Sequence, residues 1–84
     1  MREKKIHEYT VKFESNGEGG WIAVVPALPE VQTEGWTFAE AQEMAQDAIA
    51  LSLRVRKKRG EPLPMDVVYK AAQAPKFLKL EVTA

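Results

Sequence analysis

No cysteine occurs in the 84 residues, which excludes a disulfide framework and a thiolate metal site and suits a reducing compartment. Histidine is nearly absent too: His7 stands alone, with no companion to share a metal or relay a proton. Neither sign of charge is in excess, because twelve basic residues face twelve acidic ones, so no whole-molecule field draws the chain to nucleic acid or to an anionic membrane. No apolar run approaches the roughly eighteen residues needed to span a bilayer, and Met1 to Lys5 lack the apolar segment of a signal peptide. These absences lead us to expect a cytoplasmic protein with no membrane association. Its length allows one core, hence a single domain over residues 1–84, and so small a core gains from self-association, so a homo-oligomer (dimer or tetramer) is expected.

What is present reads first as strands. From Ile6 to Glu14 polar and apolar residues alternate, placing Tyr9, Val11 and Phe13 on one face at a period of two. Ser15 to Gly20 holds three glycines and an asparagine, residue types that accept positive φ, so the chain is predicted to reverse there. Trp21 to Val25 is aromatic and β-branched and stops at Pro26, which has no ladder donor; Pro26, Ala27, Leu28 and Pro29 then make a stiff corner. Val31 to Glu34 alternates again before Gly35, completing a three-stranded antiparallel meander.

A meander needs a cover. Thr37 and Glu40 are spaced as a capping box, which marks a helix start. Ala41, Met44, Ala45, Ala48, Leu51, Ser52 and Val55 recur at helical spacing and predict a buried stripe of mostly small residues. Cations crowd the end that the helix dipole favours for them, and Gly60 is placed to close the last turn, giving a helix of about 22 residues and roughly 33 Å. Glu61 to Pro64 is a stiff connector. Beyond it, Asp66 can cap a short helix through Ala72, the preferred reading, although Val67 to Tyr69 would also serve as a strand. After Pro75 a last strand sets Leu78, Leu80 and Val82 on one face and Phe77, Lys79 and Glu81 on the other. The expected class is α+β: a three-stranded antiparallel meander, one long helix, a short connector and a C-terminal strand.

Few residues suggest chemistry. Glu8, Glu14, Glu34, Glu40 and Asp47 are scattered over different predicted elements, so no metal centre and no catalytic group is expected. Ser15 and Ser52 have no identifiable base, and Ser52 is predicted to bond to its own helix backbone. Gly17, Gly19 and Gly20 precede a strand, whereas phosphate cradles open onto a helix, so they read as a turn. Arg54, Arg56, Lys57, Lys58 and Arg59 could meet successive phosphates or could simply complement the helix dipole. Trp21 and Trp36 could pack in the core or anchor a protein partner. No cofactor is expected.

In their order and spacing, Gly20-Trp21, Val25-Pro26, Leu28-Pro29, Gly35, Thr37, Glu40-Ala41 and Ala48-Ile49, followed by Gly60 and Leu63-Pro64, make residues 9–64 resemble the HicB-like antitoxin domain. The chain departs from that pattern at Glu30 and Val31, where the family usually has glycine and cysteine. The resemblance implies a partial ribonuclease H-like fold and a binding module that covers the active surface of a small HicA-type, RNA-cleaving toxin. The partner-binding residues would be Trp21, Val25, Pro26, Leu28, Pro29 and Trp36, in a proline corner with adjacent tryptophans. The acidic set of the namesake nuclease has no counterpart here, so the fold would be a scaffold without that chemistry and the protein not an enzyme. Many relatives carry a C-terminal DNA-binding domain; this sequence stops soon after its last strand, so DNA binding is not expected. The alternative reading is an RNA-binding domain that uses Arg54 to Arg59.

Overall fold

The computed structural model describes residues 6–66 and 77–83, and the elements follow the expected α+β order of three strands, a helix and a strand. β1 (Ile6–Ser15) is the spine of the sheet. It pairs antiparallel with β2 (Trp21–Val24) from Lys12↔Val24 to Ser15↔Trp21, and with β4 (Phe77–Thr83) from Ile6↔Thr83 to Lys12↔Phe77. β3 (Gln32–Gly35) lies against β2, so the sheet order is β3-β2-β1-β4. Alternation does what the sequence indicates: Tyr9, Val11 and Phe13 are all buried on one face, joined by Leu80 and Val82 from β4. In the β1–β2 turn the positive φ values fall to Gly17 and Gly19 (82° and 90°), while Asn16 acts through its side chain. Its amide oxygen accepts from the Glu18 and Gly20 N–H groups at 2.8 and 3.0 Å.

The proline corner is two successive turns, with the Leu28 N–H on the Val25 carbonyl (2.9 Å) and the Val31 N–H on the Leu28 carbonyl (2.8 Å). α1 (Phe38–Lys58) starts where the capping box places it. The Thr37 hydroxyl accepts from the Glu40 N–H at 3.0 Å, and the Glu40 carboxylate reaches back to the Trp36 N–H at 2.9 Å. Its other end closes with the Gly60 N–H on Lys57 and the Glu61 N–H on Arg56, at 3.1 and 2.9 Å.

The helix lies on β3, β2 and β4 by only part of the stripe expected from spacing: Ala41, Ala45 and Ser52 face the core and Ala48 packs against it, joined by Ile49 and Leu53. Ala41, Ala45, Ile49, Ser52 and Leu53 are buried, whereas Met44, Leu51 and Val55 are 46%, 56% and 38% exposed. The buried arc is therefore turned by roughly 70° from the predicted one, at about 100° per residue. Gly35 supplies the reason. A Cβ on it would stand 2.5 Å from the Ala41 nitrogen, so the helix start sits directly on the end of β3 and Ala41 must face inward. Ala45, Ile49 and Leu53 follow it at four-residue steps along the same side.

The connector is tied to β1. The Tyr9 hydroxyl donates to the Pro64 carbonyl at 2.6 Å, and the Thr10 N–H and hydroxyl both donate to the Asp66 carboxylate, at 2.8 and 2.7 Å. β2 stops opposite Lys12, so Asp66 takes the Thr10 N–H that a longer neighbouring strand would otherwise accept. The Asp66 carboxylate is thus engaged with β1. The helix proposed to start there lies in residues 67–76, outside the described residues.

Candidate partner-binding surface

The β2–β3 pair has two ends, and the sequence-derived contact residues are divided between them. Trp21 pairs with Gly35, so Trp21 and Trp36 stand at one end, beside the start of α1. Val25 to Pro29 lie beyond Val24↔Gln32 at the other end, beside the second half of the helix. Four residue steps along β2 separate the two groups, a distance of about 13 Å. The expected single surface of corner and adjacent tryptophans is therefore two surfaces.

Within the corner, Val25 and Leu28 are buried and hold it to the core, so their side chains are not on the surface. Pro29 is exposed and Pro26 half-buried. Trp21 is half-buried, edge-on to Phe38 at 5.3 Å between ring centroids, and Phe38 in turn meets Phe13 at 4.6 Å. That chain of rings makes Trp21 largely a packing residue. Trp36 differs: it is 74% exposed, yet its backbone is held by Glu40. Around it Glu18, Glu34, Glu40 and Asn16 line a hollow of about 200 Å³, with the Asn16 amide donating to Glu34 at 3.2 Å. A rigidly based tryptophan edged by three carboxylates offers a π face and negative charge to the same ligand.

The other end is basic but partly neutralised from within. Glu30, directly after Pro29, receives the Arg56 Nε at 3.1 Å and Nη2 at 2.9 and 2.8 Å on its two oxygens, and also a hydrogen bond from the Ser52 hydroxyl. The Ser52 hydroxyl above all, then the backbone N–H of Glu30 itself and the Arg56 guanidinium, hold the Glu30 carboxyl below its ordinary value of 4.5. Ser52 therefore bonds across to the corner and not to its own helix backbone. Arg56 belongs to this clamp, while Arg54, Lys57, Lys58 and Arg59 are exposed. Reading from sequence missed Glu30 as a structural residue; Ser52 and Arg56 stand at i, i+4 spacing on one helix face, but Glu30 lies 22 and 26 residues before them, so no local signal joined it to the pair. Beside the clamp runs a groove of about 510 Å³ floored by Val31, Ala48, Leu51 and Val55.

Among the described residues no group of three or more His, Cys, Asp or Glu could hold a metal ion. No described helix is long and apolar enough to cross a membrane. Burial raises the Tyr9 phenol above its ordinary value of 10.0, which keeps it the donor that the Pro64 carbonyl requires.

No family model matches the chain. Among curated proteins, Antitoxin HicB 2 of Photorhabdus laumondii is 43% identical over 62 residues, which cover 71% of this chain and 44% of that protein. The UPF0150 protein ssr1765 of Synechocystis is 33% identical over 63 residues, 75% of this chain and 80% of its own length. The UPF0150 protein Ta0767 of Thermoplasma acidophilum is 36% identical over 59 residues, 70% of this chain and 86% of its own. The matched region thus spans most of each UPF0150 protein but less than half of the antitoxin.

Proposed function

The chain belongs to the HicB-like antitoxin family, and from that premise we propose that it is an antitoxin-type binding module whose partner is a small HicA-type RNA-cleaving toxin. The observation that carries this reading is Trp36, three-quarters exposed on a capped helix start and edged by Glu18, Glu34 and Glu40. A protein that cleaves RNA must present positive charge to the phosphate backbone. A module that covers such a surface gains from carboxylates to complement it and from an aromatic anchor held in place before docking. The β3 end and the Thr37 cap supply that preorganisation, so little entropy is lost on binding. The exposed Pro29 and half-buried Pro26, at the far end of the β2–β3 pair, would contribute to the rim at most.

The alternative, RNA binding through Arg54 to Arg59, is weakened by Glu30, which occupies Arg56 and adds negative charge to that end. Growth rescue of cells expressing a HicA-type toxin from the same host, with a pull-down of the purified pair, tests the proposal. Trp36→Ala is expected to raise the dissociation constant more than about tenfold, roughly 1.4 kcal/mol, with an unchanged circular dichroism spectrum. Equal affinity in that variant would remove Trp36 as the anchor, and a wild-type chain that neither binds nor rescues would sink the proposal.

A further inference from the structure

Asn16 is the sole asparagine in the sequence, and the residue after it is Gly17, which has no Cβ to shield its own backbone nitrogen. The β1–β2 turn arranges four groups about this pair. The Asn16 Oδ1 accepts from two backbone donors, the Glu18 N–H at 2.8 Å and the Gly20 N–H at 3.0 Å. The Gly17 N–H donates to the Ser15 hydroxyl at 3.2 Å, and the Asn16 Nδ2 donates to the Glu34 carboxylate, also at 3.2 Å. Gly17 is exposed, with nothing within 4 Å of where a Cβ would stand, so water reaches its nitrogen freely.

We infer that this turn modifies itself: the Gly17 nitrogen attacks the side-chain carbonyl carbon of Asn16, which loses its amide nitrogen as ammonia. As the bond between the Gly17 nitrogen and Cγ forms, negative charge develops on Oδ1. The Glu18 and Gly20 N–H groups already point at that atom, as the donors of an oxyanion hole do, and need no rearrangement when the charge appears. The Ser15 hydroxyl, itself exposed, relays the Gly17 proton to water. The Cγ–Nδ2 bond then breaks, its electron pair leaving with the nitrogen, which takes a proton back from water and departs as ammonia. A cyclic imide remains, and water opens it at either carbonyl to give aspartate or its β-linked isomer at position 16. Water is the sole co-reactant.

Both products lose the Nδ2 donor to Glu34 and add a carboxylate beside Glu18, Glu34 and Glu40, which line the hollow at Trp36. The β-linked product also lengthens the main chain by a methylene group. The turn has little room for it, because a Cβ on Gly20 would already stand 2.7 Å from the Asn16 Nδ2. The reaction thus loosens the turn and adds negative charge at the Trp36 hollow, whichever partner that hollow serves.

Incubation of the full chain in mildly alkaline buffer tests the inference, with conversion followed by ion exchange and by enzymatic methylation of the β-linked product. The folded chain is expected to convert faster than the same chain unfolded in guanidinium chloride, where the Asn16–Gly17 pair persists but the two oxyanion donors are gone. Asn16→Ser, which keeps an oxygen able to hold the turn, is expected to show no conversion. Ser15→Ala is expected to slow the reaction by about threefold or more, the worth of one hydrogen bond, with an unchanged unfolding midpoint, and Ser15→Thr to restore the rate. A folded chain that stays intact, one that converts no faster than the unfolded chain, or a Ser15→Ala variant that reacts at the wild-type rate would each overturn it.

Discussion

The two ends of α1 are fastened to the sheet by opposite means. At its start, backbone meets backbone: Gly35 lets the Ala41 nitrogen come so near that no side chain fits between them. At its end, side chains reach across: Glu30 from the proline corner takes up Ser52 and Arg56. The first fastening is dry, close and intolerant of added volume; the second is half-wet and adjustable. The difference also sorts function. The close-packed end can hold Trp36 out in solvent without moving, whereas the clamped end spends its best-placed cation internally.

The most damaging way to break this contrast is Gly35→Ala. The methyl group would meet Ala41 and Glu40 backbone atoms at 2.5 to 3.0 Å, and backbone cannot swing aside as a side-chain tip does. A loss of about 3 kcal/mol in urea unfolding is expected, at the upper end of overpacking costs. A wild-type midpoint in this variant would show that the helix start is not seated on β3. Thr37→Ala at the same end removes a cap while leaving the packing, and should lower stability by about 1 kcal/mol.

The smallest effect belongs to the clamp, and pH sharpens it. Glu30 titrates lower in the folded chain than its ordinary 4.5, so the folded state binds fewer protons than the unfolded one in that range. The contribution of the clamp is complete above about pH 4.5 and fades as the pH falls through the lower folded value. Glu30→Gln is therefore expected to lose less than about 1 kcal/mol at neutral pH, as for other exposed ion pairs. Its unfolding curve should converge on that of the wild type as the pH falls below the lowered folded value. Curves equally far apart at neutral pH and in acid would mean that the charge on Glu30 is not what holds the corner.

How much of this could be read beforehand follows from how local each cause is. Tyr9, Val11 and Phe13 were legible because strand alternation needs only neighbours. The Thr37 cap and the Gly60 closure were legible because their donors and acceptors lie within one turn. The helix face was not, because α1 carries apolar residues over a wide arc, and spacing alone favoured Met44, Leu51 and Val55 as readily as Ile49 and Leu53. Similarly, nothing local says that Asp66 will serve Thr10, 56 residues earlier in the chain.

By itself, then, the order of amino acids determined the element types, their order and the sites where the chain turns, since these depend on backbone sterics and hydrogen bonds among near neighbours. Only the tertiary structure decided which arc of α1 is buried, that the proline corner and the tryptophans part company, and that Glu30 ties Ser52 to Arg56. Each of those depends on one contact between distant segments, Gly35 against Ala41 above all, and a helix can satisfy its own hydrogen bonds at any rotation about its axis.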